Sequence, residues 1–305
     1  MKNCLLLLLL SSSLLHAQTV PSPIHKDPQK YRFRFSVLSG YQQENFSWSI
    51  AGNSSGTNPN IYSELIWKNL SGPLAGAELE FNIWRSFWIR SSISRLFIVS
   101  GKVTDMDYQG DNRTNRSYYG AFDSDKGNSF SWRTTLEYKI PLTASISLSP
   151  AIGYVYHIQS LYLLSDNAGL GNNKLRSTYA TNYEGATIGA RAAFILTKKF
   201  SLEPSLYYDQ IKYHGKADWN LITTFEHPLS FEDIANGYDI KTGIKANYSW
   251  KDYCSFFLAG NYFYSNTGTG TDRLYQTNGQ QPLTQFNGAT RHFWAIKAGI
   301  SLSLP

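Results

Sequence analysis

The chain has 305 residues, of which 42% are hydrophobic, 15% aromatic and only 16% charged, with a net charge of +6. Its mean hydropathy of −0.32 is polar, and past residue 17 no stretch approaches the roughly 18 apolar residues that a membrane-spanning helix needs. These values exclude a helical membrane bundle, the aromatic content excludes intrinsic disorder, and the charge is too dilute to indicate nucleic acid, although it suits anionic lipid head groups. The composition favours a β-rich protein.

The first 17 residues have the pattern of a secretory signal peptide. Lys2 supplies the positive charge, leucines between Leu5 and Leu15 form the apolar core, and the small Ala17 ends a cleavage site. Residues 18–30 are then an N-terminal extension, and 31–305 the folded domain. The mature chain would retain one cysteine, Cys254, which excludes an internal disulfide.

An alternation of apolar and polar residues with a period of two recurs along the rest of the chain. In residues 146–158, for example, the apolar side chains fall on one face, opposite serine, glycine and histidine. This pattern is typical of strands with one apolar face. The predicted strands are 31–44, 63–84, 87–103, 129–140, 145–163, 182–196, 200–214, 237–250, 254–265 and 290–304.

Short and long connections alternate between these strands. The short ones are 85–86, 141–145, 197–199 and 251–252, and the long polar ones are 45–62, 104–128, 164–181, 215–236 and 266–288. This rhythm predicts an all-β fold, a ten-stranded antiparallel transmembrane β-barrel with short periplasmic turns and long extracellular loops. Several strands exceed the roughly 9–11 residues that cross a bilayer, so the barrel is expected to project from the membrane on the loop side.

A soluble β-sandwich or a lipocalin-like barrel would show the same alternation. Aromatic residues near the strand ends favour the membrane barrel, because they match the girdles at membrane interfaces. They are Trp84, Phe87 and Trp88 at one turn, and Trp250 and Tyr253 at another. The apolar face, including most of the aromatic residues, is therefore expected to point outward to lipid.

Acidic residues stand where several strands open into long loops. In Asp105-Met106-Asp107 the two carboxylates point to the same side of a strand, where their repulsion raises one pKa. Such a pair can activate a water molecule, although a solvated pair of loop acids is the simpler alternative. Asp218 and Glu44 lie at the same end of the barrel. No histidine has a metal-ligand spacing to a second histidine or cysteine, so no metal site is predicted.

Several segments resemble the omptins, the ten-stranded outer-membrane barrel proteases of Gram-negative bacteria. The similar segments are Leu38-Ser39-Gly40 leading to Glu44, Ser63–Lys68 followed by Ala75-Gly76-Ala77, Ser100–Tyr108 with its Asp-x-Asp pair, and Phe293–Gly299. The likeness is diffuse but stays in register over nearly the whole mature chain. It implies the omptin fold and an active site at the extracellular mouth.

The resemblance implies roles for four acids and also exposes two departures. Asp105 and Asp107 would activate the attacking water, Asp218 would complete the catalytic group, and Glu44 would bind a basic side chain of the substrate. Omptins carry a histidine where this chain has Asn220, and an acid for recognition of basic substrates where it has Lys216. Asparagine cannot exchange a proton near neutral pH, and lysine repels a cationic substrate. His214 or His227 could substitute for the histidine.

Three functions follow as hypotheses. The first is a surface endopeptidase that cleaves a peptide or host protein. The second is a catalytically inactive omptin-like barrel that acts in adhesion, ligand binding or outer-membrane structure. The third is a small pore, which the tight interior of a ten-stranded barrel disfavours. All three place the protein in the bacterial outer membrane among its lipids. The resemblance adds lipopolysaccharide as an activating lipid, with no other cofactor expected.

Overall fold

The structure is a computed structural model that describes residues 31–166 and 174–305. The predicted signal peptide, 1–17, and the extension, 18–30, lie outside the described residues. No helix among the described residues is long and apolar enough to cross a membrane. The strands are β1 (Phe33–Ile50), β2 (Ser63–Trp84), β3 (Phe87–Ile98), β4 (Ser100–Gly110), β5 (Thr114–Asp123), β6 (Gly127–Tyr138), β7 (Ile140–Pro141), β8 (Ile146–Ser165), β9 (Leu175–Ile195), β10 (Phe200–Asp218), β11 (Phe231–Lys251), β12 (Cys254–Thr267), β13 (Gly270–Leu274) and β14 (Leu283–Leu304).

All of these strands belong to one antiparallel sheet that closes on itself. Some of these segments continue one another along the barrel wall: β3 with β4, β5 with β6 and β7, and β12 with β13. Counted in this way, the barrel has ten strands, each of which is called a stave where it includes more than one segment or is compared with one that does. β1 pairs with β2 on one side and with β14 on the other, which closes the barrel. The predicted ten-stranded antiparallel barrel is confirmed.

The two ends of the barrel differ. At the short-turn end, adjacent staves are joined by the brief connections that the sequence predicts, such as 85–86. At the other end, here called the hairpin end, the predicted long loops are wrong in extent, because much of them is strand. The predicted loop 104–128 consists mainly of β4 and β5, joined by a 3₁₀ turn at Asp111–Arg113.

An apolar belt encircles the outside of the barrel on the short-turn side. It is formed by exposed side chains that alternate with interior ones: Phe35, Val37, Ile83, Ile89, Ile93, Leu136, Ile152, Ile188, Leu206, Ile240, Ile244, Phe256, Leu258, Ile296 and Ile300. Aromatic residues border the belt. Trp84, Trp250 and Tyr253 lie at its short-turn edge, and Tyr41, Tyr154, Tyr208, Tyr238, Tyr262 and Trp294 form its other edge. This arrangement is that of a lipid-facing band between two interfacial girdles.

Trp88 does not belong to these girdles, so the prediction for this residue is wrong. Its side chain is buried, and it packs edge-to-face against Tyr31 with 5.6 Å between ring centroids. The neighbouring Phe87 stacks at an angle on Tyr138, 4.9 Å away. Adjacent residues of a strand point to opposite faces, and Trp88 occupies the inward position.

The interior is layered along the barrel axis. Inside the belt, Arg34, Glu78, Glu80, Arg90, Glu137, Arg191, Glu203 and Lys245 form a network of ion pairs. Inside the hairpin end the filling is an apolar, largely aromatic cluster. This aromatic cluster includes Phe46, Trp48, Leu65, Trp67, Val103, Tyr179, Tyr183, Tyr213, Phe231 and Phe286. The expectation that the apolar face, with most of the aromatic residues, points outward to lipid is therefore wrong for this half of the barrel, where no belt is needed and the interior must be filled.

Candidate functional site

Asp105 and Asp107 lie on β4 at the hairpin end, beyond the apolar belt. Asp105 pairs with Leu65 and Asp107 with Ser63, and directly paired residues in an antiparallel sheet share a face. Leu65 belongs to the aromatic cluster, so both carboxylates point toward the interior, where they are half-buried. They stand within a strand rather than at the opening of a loop.

Burial and mutual repulsion make these two carboxyl groups weak acids. Burial, and then the charge of Asp107, raise the pKa of Asp105 to about 7. Burial also raises the pKa of Asp107, against a hydrogen bond from the Ser63 hydroxyl that lowers it. Tyr118, on the neighbouring β5, has a raised pKa because of burial and the charges of both acids. Near neutral pH the pair can therefore hold one proton and one charge, which suits activation of a water molecule.

Asp218 points away from this interior. Its neighbour Ala217 is buried and pairs with Phe231 and Tyr179 of the aromatic cluster. The next residue along the strand faces the other way, so Asp218 lies on the outer wall. There its Oδ1 is 2.6 Å from Nδ1 of His227. Of the predicted catalytic acids, the structure thus brings Asp105 and Asp107 together but places Asp218 on a different face.

The wall opposite the acid pair carries small residues on the inside of β10. Gly215 and Ala217 occupy the inward positions, and no titratable side chain points inward from these last residues of β10. Lys216 is exposed on the outside. His214 is also on the outer side, with its Nε2 2.9 Å from Glu232.

Asn220, which stands where omptins carry histidine, joins the loop after β10 to the first residues of β9. Its Oδ1 accepts hydrogen bonds from the backbone N–H of Arg176 at 2.9 Å and from the Ser177 hydroxyl at 3.1 Å. Its Nδ2 donates to the Lys174 carbonyl at 3.0 Å. All of these bonds suit an amide, so asparagine has a structural role here.

Glu44, the predicted substrate-binding residue, is fully buried in the barrel interior. Its carboxylate accepts hydrogen bonds from Gln42 at 2.9 Å, Ser129 at 2.5 Å and Gln159 at 2.9 Å, and is paired with Arg291 at 2.8 Å. Both carboxylate oxygens are therefore occupied by groups of the protein. This geometry is that of an internal ion pair, with no face open to a substrate cation.

Two further acidic clusters escaped the sequence analysis because their members lie on different staves. His157, Asp209 and Asp239 place one ligand atom each within 4.8 Å of one another. Asp209, however, is already held by two 2.7 Å hydrogen bonds from Arg133, so the cluster lies among positive charges that disfavour a divalent cation.

The second cluster is a carboxyl pair beyond the belt, between β11 and β13. Asp233 and Asp272 are paired across the strands and hydrogen-bonded to each other. Tyr179 donates to Asp233 at 2.5 Å and Thr284 to Asp272 at 2.8 Å. Burial, and then the charge of Asp272, hold the pKa of Asp233 well above its usual range. Burial raises the pKa of Asp272 to about 6.

Comparison with known proteins identifies the family. Residues 36–304 match the profile of the family described as Pom, Protochlamydia outer membrane protein. The chain belongs to the Pom family. No curated protein sequence matches this Pom protein. Among solved structures, the outer membrane protease OmpT from Escherichia coli superposes with a TM-score of 0.70 at 11% identity, covering 89% of the Pom chain and 96% of OmpT.

The Pom chain is therefore an outer-membrane β-barrel, and the resemblance to the omptins is confirmed for the fold. At 11% identity that likeness shows architecture alone. The translocator domain of the autotransporter NalP from Neisseria meningitidis has the same identity, with 88% of each chain covered and a TM-score of 0.40. The bacterial outer membrane is the location of the protein, among its lipids.

Proposed function

We propose that this Pom protein is a non-proteolytic outer-membrane barrel that presents its hairpin end for binding at the cell surface. The observation that carries the proposal is the opposite orientation of the predicted catalytic groups. Asp105 and Asp107 face the interior, whereas Asp218 and His227 face the outer wall. A water molecule bound by the first pair has no histidine across from it to exchange a proton, and losing a general acid or base costs about 10²–10⁴ in rate.

The construction of the hairpin end also supports a binding role. The aromatic cluster fills its interior, with rings such as Trp48 and Tyr179 stacked at 5.4 Å. Rigid, well-packed supports suit the display of surface segments. Above this cluster, the connections 51–62 and 275–282 are rich in asparagine, serine, threonine and glutamine. Polar uncharged surfaces of this kind bind through hydrogen bonds rather than by attracting a charged substrate.

An endopeptidase is the second candidate, and the raised pKa of Asp105 favours it. An acid pair of this kind can activate water without histidine, as two carboxylates that share a proton do. In that case the Asp218–His227 pair would lie outside the reaction. Lipopolysaccharide would be an activating lipid in this alternative, as the omptin resemblance suggests.

One cleavage assay separates the two candidates. The purified protein, refolded with lipopolysaccharide, is incubated with a mixed peptide library of basic, neutral and acidic members, and the products are read by mass spectrometry. We expect no cleavage above the level of an Asp105→Asn variant. Cleavage that Asp105→Asn abolishes, and that His227→Gln leaves intact, would refute the non-proteolytic proposal and establish the acid pair as the catalytic group.

A further inference from the structure

A small cavity lies inside the barrel, at the level of the apolar belt. Its volume is about 80 Å³, and since a water molecule occupies roughly 30 Å³ in the liquid, a small ion with one or two waters fits. Its charged lining is mainly basic. The cations are Arg90, Arg133, Arg191, Lys241, Lys245 and Lys297, and the acids are Glu78 and Glu203.

Four of these six cations are neutralised by carboxylates. Arg90 and Lys245 bind Glu78 at 2.9 and 2.8 Å. Arg191 binds Glu203 at 2.9 Å. Arg133 forms a bidentate ion pair with Asp209, with both hydrogen bonds at 2.7 Å. Asp209 itself does not line the cavity. The two acids of the cavity are therefore already committed to other partners.

Lys241 and Lys297 are the remaining two cations. Across the described chain, 31–166 and 174–305, no carboxylate lies within ion-pair distance of either ammonium group. Lys241, on β11, is opposite Phe263 of β12, and Lys297, on β14, is opposite Ala259 of the same strand. Among charged groups, Lys297 acts most strongly on Lys241 and repels it. Glu78 attracts Lys297, but this carboxylate is already bound by Arg90 and Lys245. Two like charges therefore line the same cavity.

The other unsatisfied groups of the lining can donate hydrogen bonds. Nε of Arg133 and Nε of Arg191 are buried without a partner, and so are both ring nitrogens of His157, one of which carries a hydrogen. Buried polar groups without partners are costly. These nitrogens have no surface facing the cavity, so they add positive and polar surroundings rather than direct ligand contacts. Lys241 and Lys297 are only partly buried and can reach a ligand there, and a ligand that relieves their two ammonium groups must be negative.

We propose that this cavity is a binding site for a small inorganic anion, held between the ammonium groups of Lys241 and Lys297. Burial disfavours the charged form of both lysines, and a bound anion would stabilise that form in the barrel interior, where an unpaired charge is strongly unfavourable. A cation is the wrong sign for the same space. The site is distinct from the surface-binding role proposed above, and it gives the interior of the barrel a resident ion.

Bromide provides a direct probe, because it scatters anomalously and has the size of a small halide. Crystals of the wild-type protein grown in sodium bromide are expected to show an anomalous peak inside the barrel, within about 3.5 Å of Nζ of Lys241 and Lys297. Crystals without an interior peak would overturn the proposal. A peak that persists in the Lys241→Met/Lys297→Met double variant would overturn it as well, since the two lysines would then not form the site.

Thermal unfolding in detergent gives a second readout that does not need crystals. At bromide about tenfold above its dissociation constant, binding adds about 1.4 kcal/mol, which raises Tm by about 3 °C over gluconate at equal ionic strength. The exposed control variant Lys198→Met is expected to keep this increase, and the double variant to lose it. An equal increase in all three proteins would mean a general salt effect and would contradict the proposal. If the double variant does not fold, the single variants Lys241→Met and Lys297→Met are compared with wild type in the same way, and each is expected to show a smaller increase in Tm.

Discussion

At the residue scale, Glu44 differs from what the sequence resemblance implies, because it is buried in an ion pair with Arg291 and does not face a substrate. Arg291→Met is expected to lower the free energy of unfolding by about 3–5 kcal/mol, because it leaves the buried carboxylate without its cation. Urea unfolding in detergent micelles measures this loss. The two side chains are 0% and 1% exposed, so solvent cannot replace the lost partner.

An exposed pair provides the matched control. Lys102 and Asp123 also form an ion pair, but their side chains are largely exposed, and Lys102→Met is expected to change the free energy of unfolding far less than Arg291→Met does. If Arg291→Met were equally mild, Glu44 would be tolerated without its cation. That result would contradict the role of Arg291 as the cation that stabilises the buried carboxylate.

At the scale of elements, the carboxyl pair of Asp233 and Asp272 joins β11 to β13 and makes this junction sensitive to pH. Both folded-state pKa values lie above the ordinary value of 3.8, so the folded protein binds more protons than the unfolded chain above about pH 4. The stability from this pair is therefore full below pH 4. It declines as the pH rises through about 6, where Asp272 titrates, and declines further as Asp233 loses its proton.

The variant Asp272→Asn tests this dependence. An amide can donate to Asp233 and still accept from Thr284 at every pH, so the shared proton is no longer needed. The variant is expected to reduce the loss of unfolding free energy between pH 5 and pH 8 by on the order of 2 kcal/mol relative to wild type. Unfolding curves at pH 5, 6.5 and 8 measure this difference. Parallel pH profiles of the two proteins would show that the pair does not control the junction.

The same elements show what could be predicted from sequence. The sequence predicts β2 with its observed bounds, 63–84, because its lipid-facing half alternates clearly and a turn signal follows it. It predicts a loop for β5, Thr114–Asp123, because the mostly polar, solvent-facing residues of this strand carry no apolar period. Asp105 and Asp107 could be singled out because two residues of spacing fix a shared face. The orientation of Asp218 depends on which face of β10 points inward. Ala217 occupies that face in the structure, and the spacing of residues in the sequence does not determine this.

At the scale of the whole molecule, the two ends of the long barrel differ in which side chains they carry inside and outside. The apolar belt covers only the short-turn half, and the hairpin half carries the aromatic cluster inside and polar residues outside. A barrel in the outer membrane places its belt in lipid and extends its longer end into water. The hairpin half is therefore expected to project on the extracellular side, where its packed interior keeps it rigid.

Cysteine labelling in whole cells tests this orientation. In a Cys254→Ala background displayed by a Gram-negative host, Gln280→Cys places a thiol in the 275–282 connection at the hairpin end, and Lys198→Cys places one in a short turn. Both positions are exposed. A membrane-impermeant maleimide is expected to label Gln280→Cys in intact cells, and Lys198→Cys only after the outer membrane is permeabilised. The reverse pattern would place the short turns outside, and the hairpin end could not then be a surface for binding. Equal labelling of both in intact cells would mean that the belt does not span the membrane.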